Sequence, residues 1–314
     1  MVNRILIFFI IITSELISSQ WYFSDSDISK FNTSSRSSSL GGVNLDKFPS
    51  LSGSSSENDK FQVYNSSMYD GIVDYSNIFY SRKMKNLYIL GNHINNINLG
   101  IFNRKLNDVI GTYNVWNDEI VPPSSPDDIN SSLLNYYNHN DYTLLVELFL
   151  NNKLGNFGVH FMPSLSKVDV YSSKSFSIDL TYFKYWREIF LGFTINNIFS
   201  YKKWDNQSVE RFYPSLSLLI NKRFEKINSF FEIDSFFVNG NDEIQDKIKI
   251  GVEYSIYTKS NLRIGYNSNY TSIGFGANVY DKIIFDYSYL KHSFLGSSNQ
   301  ITLTFLLHNK TGNQ

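Results

Sequence analysis

The sequence predicts an all-β chain whose antiparallel sheet closes into a membrane-spanning barrel. Three observations carry that expectation. Apolar residues recur at every second position over most of the chain, which in a strand puts them all on one face. Beyond the N-terminus no stretch approaches the roughly 20 apolar residues that a membrane helix needs. The chain also holds 26 Phe, 22 Tyr and 4 Trp, 17 % aromatic, although only 42 % of it is hydrophobic. Alternating strands bracketed by aromatic girdles combine those values.

In chain order, Met1-Val2-Asn3-Arg4 is followed by the apolar run Ile5–Ile12 and by small and polar residues up to Ser19. A basic start, a short apolar core and small residues predict an export signal over residues 1–19, cut after Ser19. Residues 20–60 are rich in Ser, Asn, Asp and Gly and show no period, so an irregular segment is expected there.

Residues 61–307 read as the barrel, and 308–314 as a C-terminal tail. Candidate strands are 61–68, 72–80, 86–92, 95–103 and 108–116, then 141–151, 155–163, 174–185, 188–198, 210–222 and 225–237. The last quarter adds 245–257, 260–267, 271–279, 281–290 and 298–307. That is 14 to 16 segments, at lengths that suit tilted membrane strands. The alternation is clearest at Ile248, Ile250, Val252, Tyr254 and Ile256, with Lys247, Lys249, Gly251, Glu253 and Ser255 between them. It recurs at Tyr142, Leu144, Val146, Leu148 and Leu150, set against Thr143, Leu145, Glu147 and Phe149. One insertion, Asn117 to about Asn140, holds three of the six prolines and is expected to be a long loop. Shorter loops are expected at Lys202–Ser208 and Asn239–Asp246. Trp186, Tyr213, Tyr254, Tyr266, Tyr287 and Tyr289 are candidates for the aromatic girdles.

Closure follows from physics. An open sheet of this many strands leaves edges that pair with other chains, and in lipid every unsatisfied backbone group costs several kcal/mol. The alternative that keeps the same strands is an exported, soluble structural β-protein.

A net charge of −1 gives no basic face for nucleic acid, and zero cysteines exclude disulfides and thiolate metal sites. His93, His139, His160, His292 and His308 are scattered without ligand spacing, and no cofactor fingerprint or nucleophile elbow occurs. The acidic residues Asp118, Glu119, Asp127 and Asp128 lack the spacing of a calcium loop and read as solvated charge. No catalytic residue, metal or cofactor is therefore expected. Charges on the inward parity of the last hairpins, among them Glu253, Arg263 and Asp286, are expected to line the lumen and pair across strands.

Several short stretches resemble one family. Ser35-Arg36-Ser37-Ser38-Ser39-Leu40-Gly41-Gly42-Val43 resembles an N-terminal motif of the PorV/PorQ family, relatives of FadL-type outer-membrane barrels. Gly192-Phe193-Thr194-Ile195-Asn196-Asn197-Ile198 is similar to a mid-barrel strand end of that family. Gly251-Val252-Glu253-Tyr254 with Leu262-Arg263-Ile264-Gly265-Tyr266, and then Phe285-Asp286-Tyr287-Ser288-Tyr289, resemble its closing hairpins. The resemblance implies a FadL-like outer-membrane barrel of about 14 strands with the segment around Gly41-Gly42 in the lumen as a hatch. Arg36 is then placed to pin the hatch to a lumenal carboxylate. The implied partners are outer-membrane lipid and the components or cargo of a type IX-like secretion system. The alternative is a passive FadL-like channel for hydrophobic small molecules.

Overall fold

Period-two alternation becomes, in three dimensions, a wall with one outward face and one lumen face. The structure, a computed structural model, describes residues 20–22, 32–51, 59–89, 92–111, 135–237, 244–280, 282–293 and 295–307. The proposed signal 1–19, the tail 308–314 with His308, and the acidic residues at 118–128 lie outside the described residues.

In chain order the strands are β1 (Gln20–Tyr22), β2 (Asp59–Met68), β3 (Val73–Ile89), β4 (Asn92–Gly111), β5 (Asn135–Asn152) and β6 (Gly155–Val168). There follow β7 (Tyr171–Trp186), β8 (Ile189–Trp204), β9 (Val209–Phe212), β10 (Ser215–Phe224) and β11 (Ile227–Phe237). The last are β12 (Ile244–Tyr257), β13 (Ser260–Asn267), β14 (Tyr270–Val279), β15 (Ile283–His292) and β16 (Ser297–Leu307). A short helix, α1 (Ser35–Ser39), lies between β1 and β2.

Strands β2–β8 and β10–β16 form a closed antiparallel barrel of 14 strands, shut where β16 pairs with β2 from Asn299↔Ser67 to Leu307↔Asp59. Closure leaves no barrel edge to pair with another chain. β9 caps the far end of β8, and β1 runs parallel to β9 with Gln20 opposite Glu210.

Two expected pairs of strands are single long strands. Segments 72–80 and 86–92 belong mainly to β3, and 95–103 and 108–116 mainly to β4. Register shifts at Lys83/Leu87, Ile94/Asn96 and Leu106/Val109 break the alternation there, which imitates a strand end in the sequence. The insertion expected to reach Asn140 ends earlier, because β5 begins at Asn135; residues 112–134 are not described. The loop expected at Lys202–Ser208 is found at 205–208, because β8 runs on to Trp204.

The faces sort as the alternation implies. Ile248, Ile264 and Ile273 are 47 %, 60 % and 57 % exposed on the outer wall, while Glu253, Arg263 and Asp286 are 5–7 % exposed inside. Trp186, Tyr254 and Tyr266 face outward, and Tyr213, Tyr287 and Tyr289 are half-exposed. The two barrel ends differ. Connections 153–154, 187–188, 225–226 and 258–259 lie at one end. The longer connection 205–214, which contains β9, lies at the other, where β4 and β11 also end. β2 starts and β16 finishes at the short-turn end.

Residues 32–51 lie inside the lumen. The serine-rich tract expected to be irregular contains α1, because Ser34 caps its start by accepting from the Ser37 amide. Gly41 and Gly42, at φ +75° and +79°, end it in the left-handed region, with Gly42 N donating to Ser37 O at 3.1 Å. The chain then turns back, and Leu40, Val43, Leu45, Phe48 and Leu51 pack on lumenal Phe149, Phe183, Phe190, Leu219 and Phe230. Phe48 sits edge-on to Phe183 and Phe190 at 5.8 and 5.4 Å, so it anchors the hatch near the short-turn end.

Candidate functional site

The hatch meets the barrel through a charged seam, a glycine floor and the aromatic cluster just described. In the seam, Arg36 Nε and Nη2 donate to Glu253 Oε2 and Oε1, each at 2.9 Å, and Nη1 donates to Leu51 O. Arg263 Nε donates to the same Glu253 at 2.7 Å, and its Nη1 reaches Asp286 Oδ1 at 2.6 Å. Arg36, Glu253, Arg263 and Asp286 thus form one alternating chain of charge. Two guanidinium forks face two carboxylates in a seam where Glu253, Arg263 and Asp286 are buried and Arg36 is partly exposed.

Gly41 lies on a floor made by other glycines. A side-chain carbon on Gly265 would come within 1.9 Å of Gly41 N, and one on Gly251 within 2.6 Å of Leu40 O. On Gly274 it would meet Ser39 Cβ at 2.3 Å. Gly251 and Gly265 face each other across β12 and β13. Three strands therefore present bare backbone where the hatch rests, and Asn267 Nδ2 donates to Gly41 O at 2.8 Å.

Further contacts were not foreseen from sequence. Asn44 donates through its amide and side chain to Glu232, both at 2.7 Å, and Lys47 Nζ meets Asp179 at 2.9 Å and Asn196. Within the hatch, Asp46 accepts from Thr33 and from Ser34 and Ser37 of the helix start. Burial pushes the Asp46 carboxyl above its ordinary value, and those hydroxyl donors oppose the shift. A signal existed only for Asp179 and Glu232, acidic residues on the inward parity of apolar strands.

Part of the lumen wall is apolar. Tyr64, Tyr75, Phe102, Leu145 and Met162, with Phe79 against them, form one inward-facing cluster across β2–β6. Tyr64 and Tyr75 also line a cavity of about 190 Å³ towards the long-loop end, whose other sides carry Tyr270 and Leu290 but also the polar Asn44, Asp234, Lys249 and His292. Phe79, Phe102, Leu145 and Met162 line a second cavity of about 40 Å³ beside Thr33, Asp46 and Lys47 of the hatch. The wall thus joins an outer chamber to a pocket beside the hatch. Leu145 and Phe149 were legible as large apolar residues on the lumenal parity of β5.

Glu147 and His160 border the inner cavity. Glu147 accepts from His160 Nδ1 at 2.5 Å and from Asn98 at 2.7 Å, while His160 Nε2 lies 3.2 Å from Thr181 Oγ1. His139 pairs with Asp141, His292 with Ser298, and His93 sits edge-on to Tyr88. Among the described residues no group of three His, Asp or Glu side chains could hold a metal ion.

Solved structures similar to this barrel include the toluene transporter TodX of Pseudomonas putida. It matches with a TM-score of 0.60 and 9 % identity, over 90 % of this chain and 100 % of that one. The Ralstonia pickettii toluene transporter TbuX matches at 0.57 and 10 % identity, again over 90 % and 100 %. The shared feature is the fold. It is a FadL-like barrel. These likenesses lend no support to the PorV/PorQ assignment or to a secretion role. No protein-family model and no curated protein sequence matches the chain.

Proposed function

We propose that the chain is an outer-membrane channel for small hydrophobic molecules, kept closed to water by its N-terminal hatch. The observation that carries this reading is the apolar lumenal wall from Tyr64 and Tyr75 to Leu145 and Met162, which joins the outer cavity to the one beside the hatch. A water-filled pore needs no such wall, because its interior is polar. A hydrophobic solute gains about 25 cal/mol for each Å² of apolar surface that it buries along the way.

On this reading residues 1–19 direct export, 20–60 supply the hatch, 61–307 form the barrel and 308–314 are a tail. The short-turn end faces the periplasm and the long-loop end the exterior, following the usual build of such barrels. Arg36, Glu253, Arg263 and Asp286 hold the hatch shut, while Gly41 and Gly42 let it lie flat on the wall. TodX and TbuX are transporters, which suits transport rather than catalysis.

The test is initial uptake of labelled toluene by intact cells whose outer membrane otherwise excludes it, with and without the folded protein. Faster uptake of toluene but not of a sugar of similar size is expected. Equal toluene uptake in both strains would overturn the proposal.

A further inference from the structure

Three lysines stand on neighbouring strands at the long-loop rim of the outer wall. They are Lys167 of β6, Lys174 of β7 and Lys203 of β8, all exposed. Their chain neighbours Ser166, Ser173 and Lys202 are buried on the lumen side, so strand parity turns the three lysines outward. The outward positions of β7 read Lys174, Phe176, Ile178, Leu180, Tyr182 and Lys184. On β6 they run Phe157, Val159, Phe161, Pro163, Leu165 and Lys167, and on β8 the run ends Phe199, Tyr201, Lys203. Each lysine is the first charge above an apolar run, the level at which lipid headgroups begin.

Two features set these lysines apart from ordinary rim charges. Lys174 and Lys203 are directly opposite each other across β7 and β8, a placement in which like charges repel. Lys167 pairs with Ser172, one diagonal step away from Lys174. None of the three forms an ion pair with a described carboxylate. Asp205 accepts instead from Ser172 N at 2.9 Å, and Glu210 from Trp204 Nε1 at 2.8 Å. Second, the wall is concave there. A groove of about 430 Å³ is lined by Lys174 and Lys203 over Phe176, Tyr201 and Trp204; Asp205, which accepts from Ser172, and Gln207 also line it.

We propose that this groove binds a lipid carrying a phosphate on its headgroup, in the leaflet at the long-loop end. Its phosphate lies between Lys174 and Lys203, with Lys167 in reach, and its acyl chains follow the apolar run below. A phosphate there relieves the repulsion between the facing lysines, and a lysine ammonium is a sound point-charge partner for it. The floor also favours lipid over an acidic peptide, since Phe176 and Tyr201 continue directly into the lipid-facing band. The inference rests on the membrane-inserted orientation proposed above and not on what the lumen carries.

Native mass spectrometry of the purified full chain, titrated with bisphosphorylated lipid A and with its dephosphorylated counterpart, tests it. The wild type is expected to retain the phosphorylated lipid in preference. Lys174→Gln with Lys203→Gln should weaken that retention roughly 30-fold, from two lysines near a membrane surface. A heat-shift gel reports folding, and if the double variant is unfolded, Lys203→Gln alone should weaken retention roughly fivefold. Equal retention of the two lipids, or equal retention by wild type and folded variant, would overturn the proposal. So would displacement of the lipid by millimolar inorganic phosphate alone, which would mark a site for the free anion. Loss of toluene uptake with lipid retention intact would bear only on the channel reading.

Discussion

Arg36 of the hatch and Glu253 of β12 stand 217 positions apart in the chain and meet through two contacts of 2.9 Å. Glu253 is shared, because Arg263 also donates to it while holding Asp286 with its other arm. The two ends of the pair are therefore unequal. Removing Arg36 leaves Glu253 with one cation, whereas neutralising Glu253 strips Arg36 of its carboxylate.

Glu253→Gln should accordingly weaken hatch docking by about 3 kcal/mol and Arg36→Gln by about 1 kcal/mol. Planar-bilayer conductance reads the hatch directly, with the heat shift showing that the barrel is intact. Glu253→Gln is expected to raise conductance well above Arg36→Gln. The reverse order would show that the seam does not hold the hatch.

The alternation predicted the barrel and which side chains face outward, because a two-residue period is set by backbone geometry alone. Glu253, Arg263 and Asp286 were legible as inward charges for the same reason. Their joining to Arg36 was suggested only by a family-like motif. Contacts such as Lys47 with Asp179 depend on where the hatch lies in the lumen, and no local pattern records that. The cross-strand partners of Glu147 were hidden for a related reason, since pairing register emerges only when the sheet closes. Register shifts misled the reading of β3 and β4, where one extra residue looks like a strand end. Helix α1 was hidden by serines, which suit a cap or a turn better than a helix interior.

Gly265→Ala should undock the hatch without opening the wall. The added carbon would meet the backbone of Leu40 and Gly41, as near as 1.9 Å, and backbone has no rotamer with which to retreat. β13 keeps its pairing to β12 and β14, so the heat shift should survive. Overpacking of this kind costs about 1–3 kcal/mol. Conductance should rise as for Glu253→Gln; an unchanged closed state would mean that the hatch has slack over the floor.

Glu147→Ala should destabilise the barrel itself. Two donors, His160 Nδ1 and Asn98 Nδ2, lose their acceptor in a region where Glu147 and His160 are 3 % and 1 % exposed. The expected cost is on the order of 2 kcal/mol, with Glu147→Gln costing less because its carbonyl still accepts. Urea unfolding in lipid vesicles measures both. Equal midpoints for wild type and Glu147→Ala would show that water replaces the carboxylate without penalty.

Leu145→Asp tests the apolar wall with a charge. Leu145 is 6 % exposed and packs with Phe102 and Met162 in the wall beside the hatch. An ionised carboxylate there would hold water against the surface that a hydrophobic solute must cross, and desolvating it again costs several kcal/mol. Toluene uptake should therefore fall at least about tenfold, a factor that needs only 1.4 kcal/mol on the barrier. Leu145→Met keeps the wall apolar at nearly the same volume and should leave uptake within about twofold. Conductance should stay low in both, because neither change touches the charged seam or the glycine floor. If Leu145→Asp folds, stays closed to ions and still passes toluene at the wild-type rate, the solute does not travel along this wall.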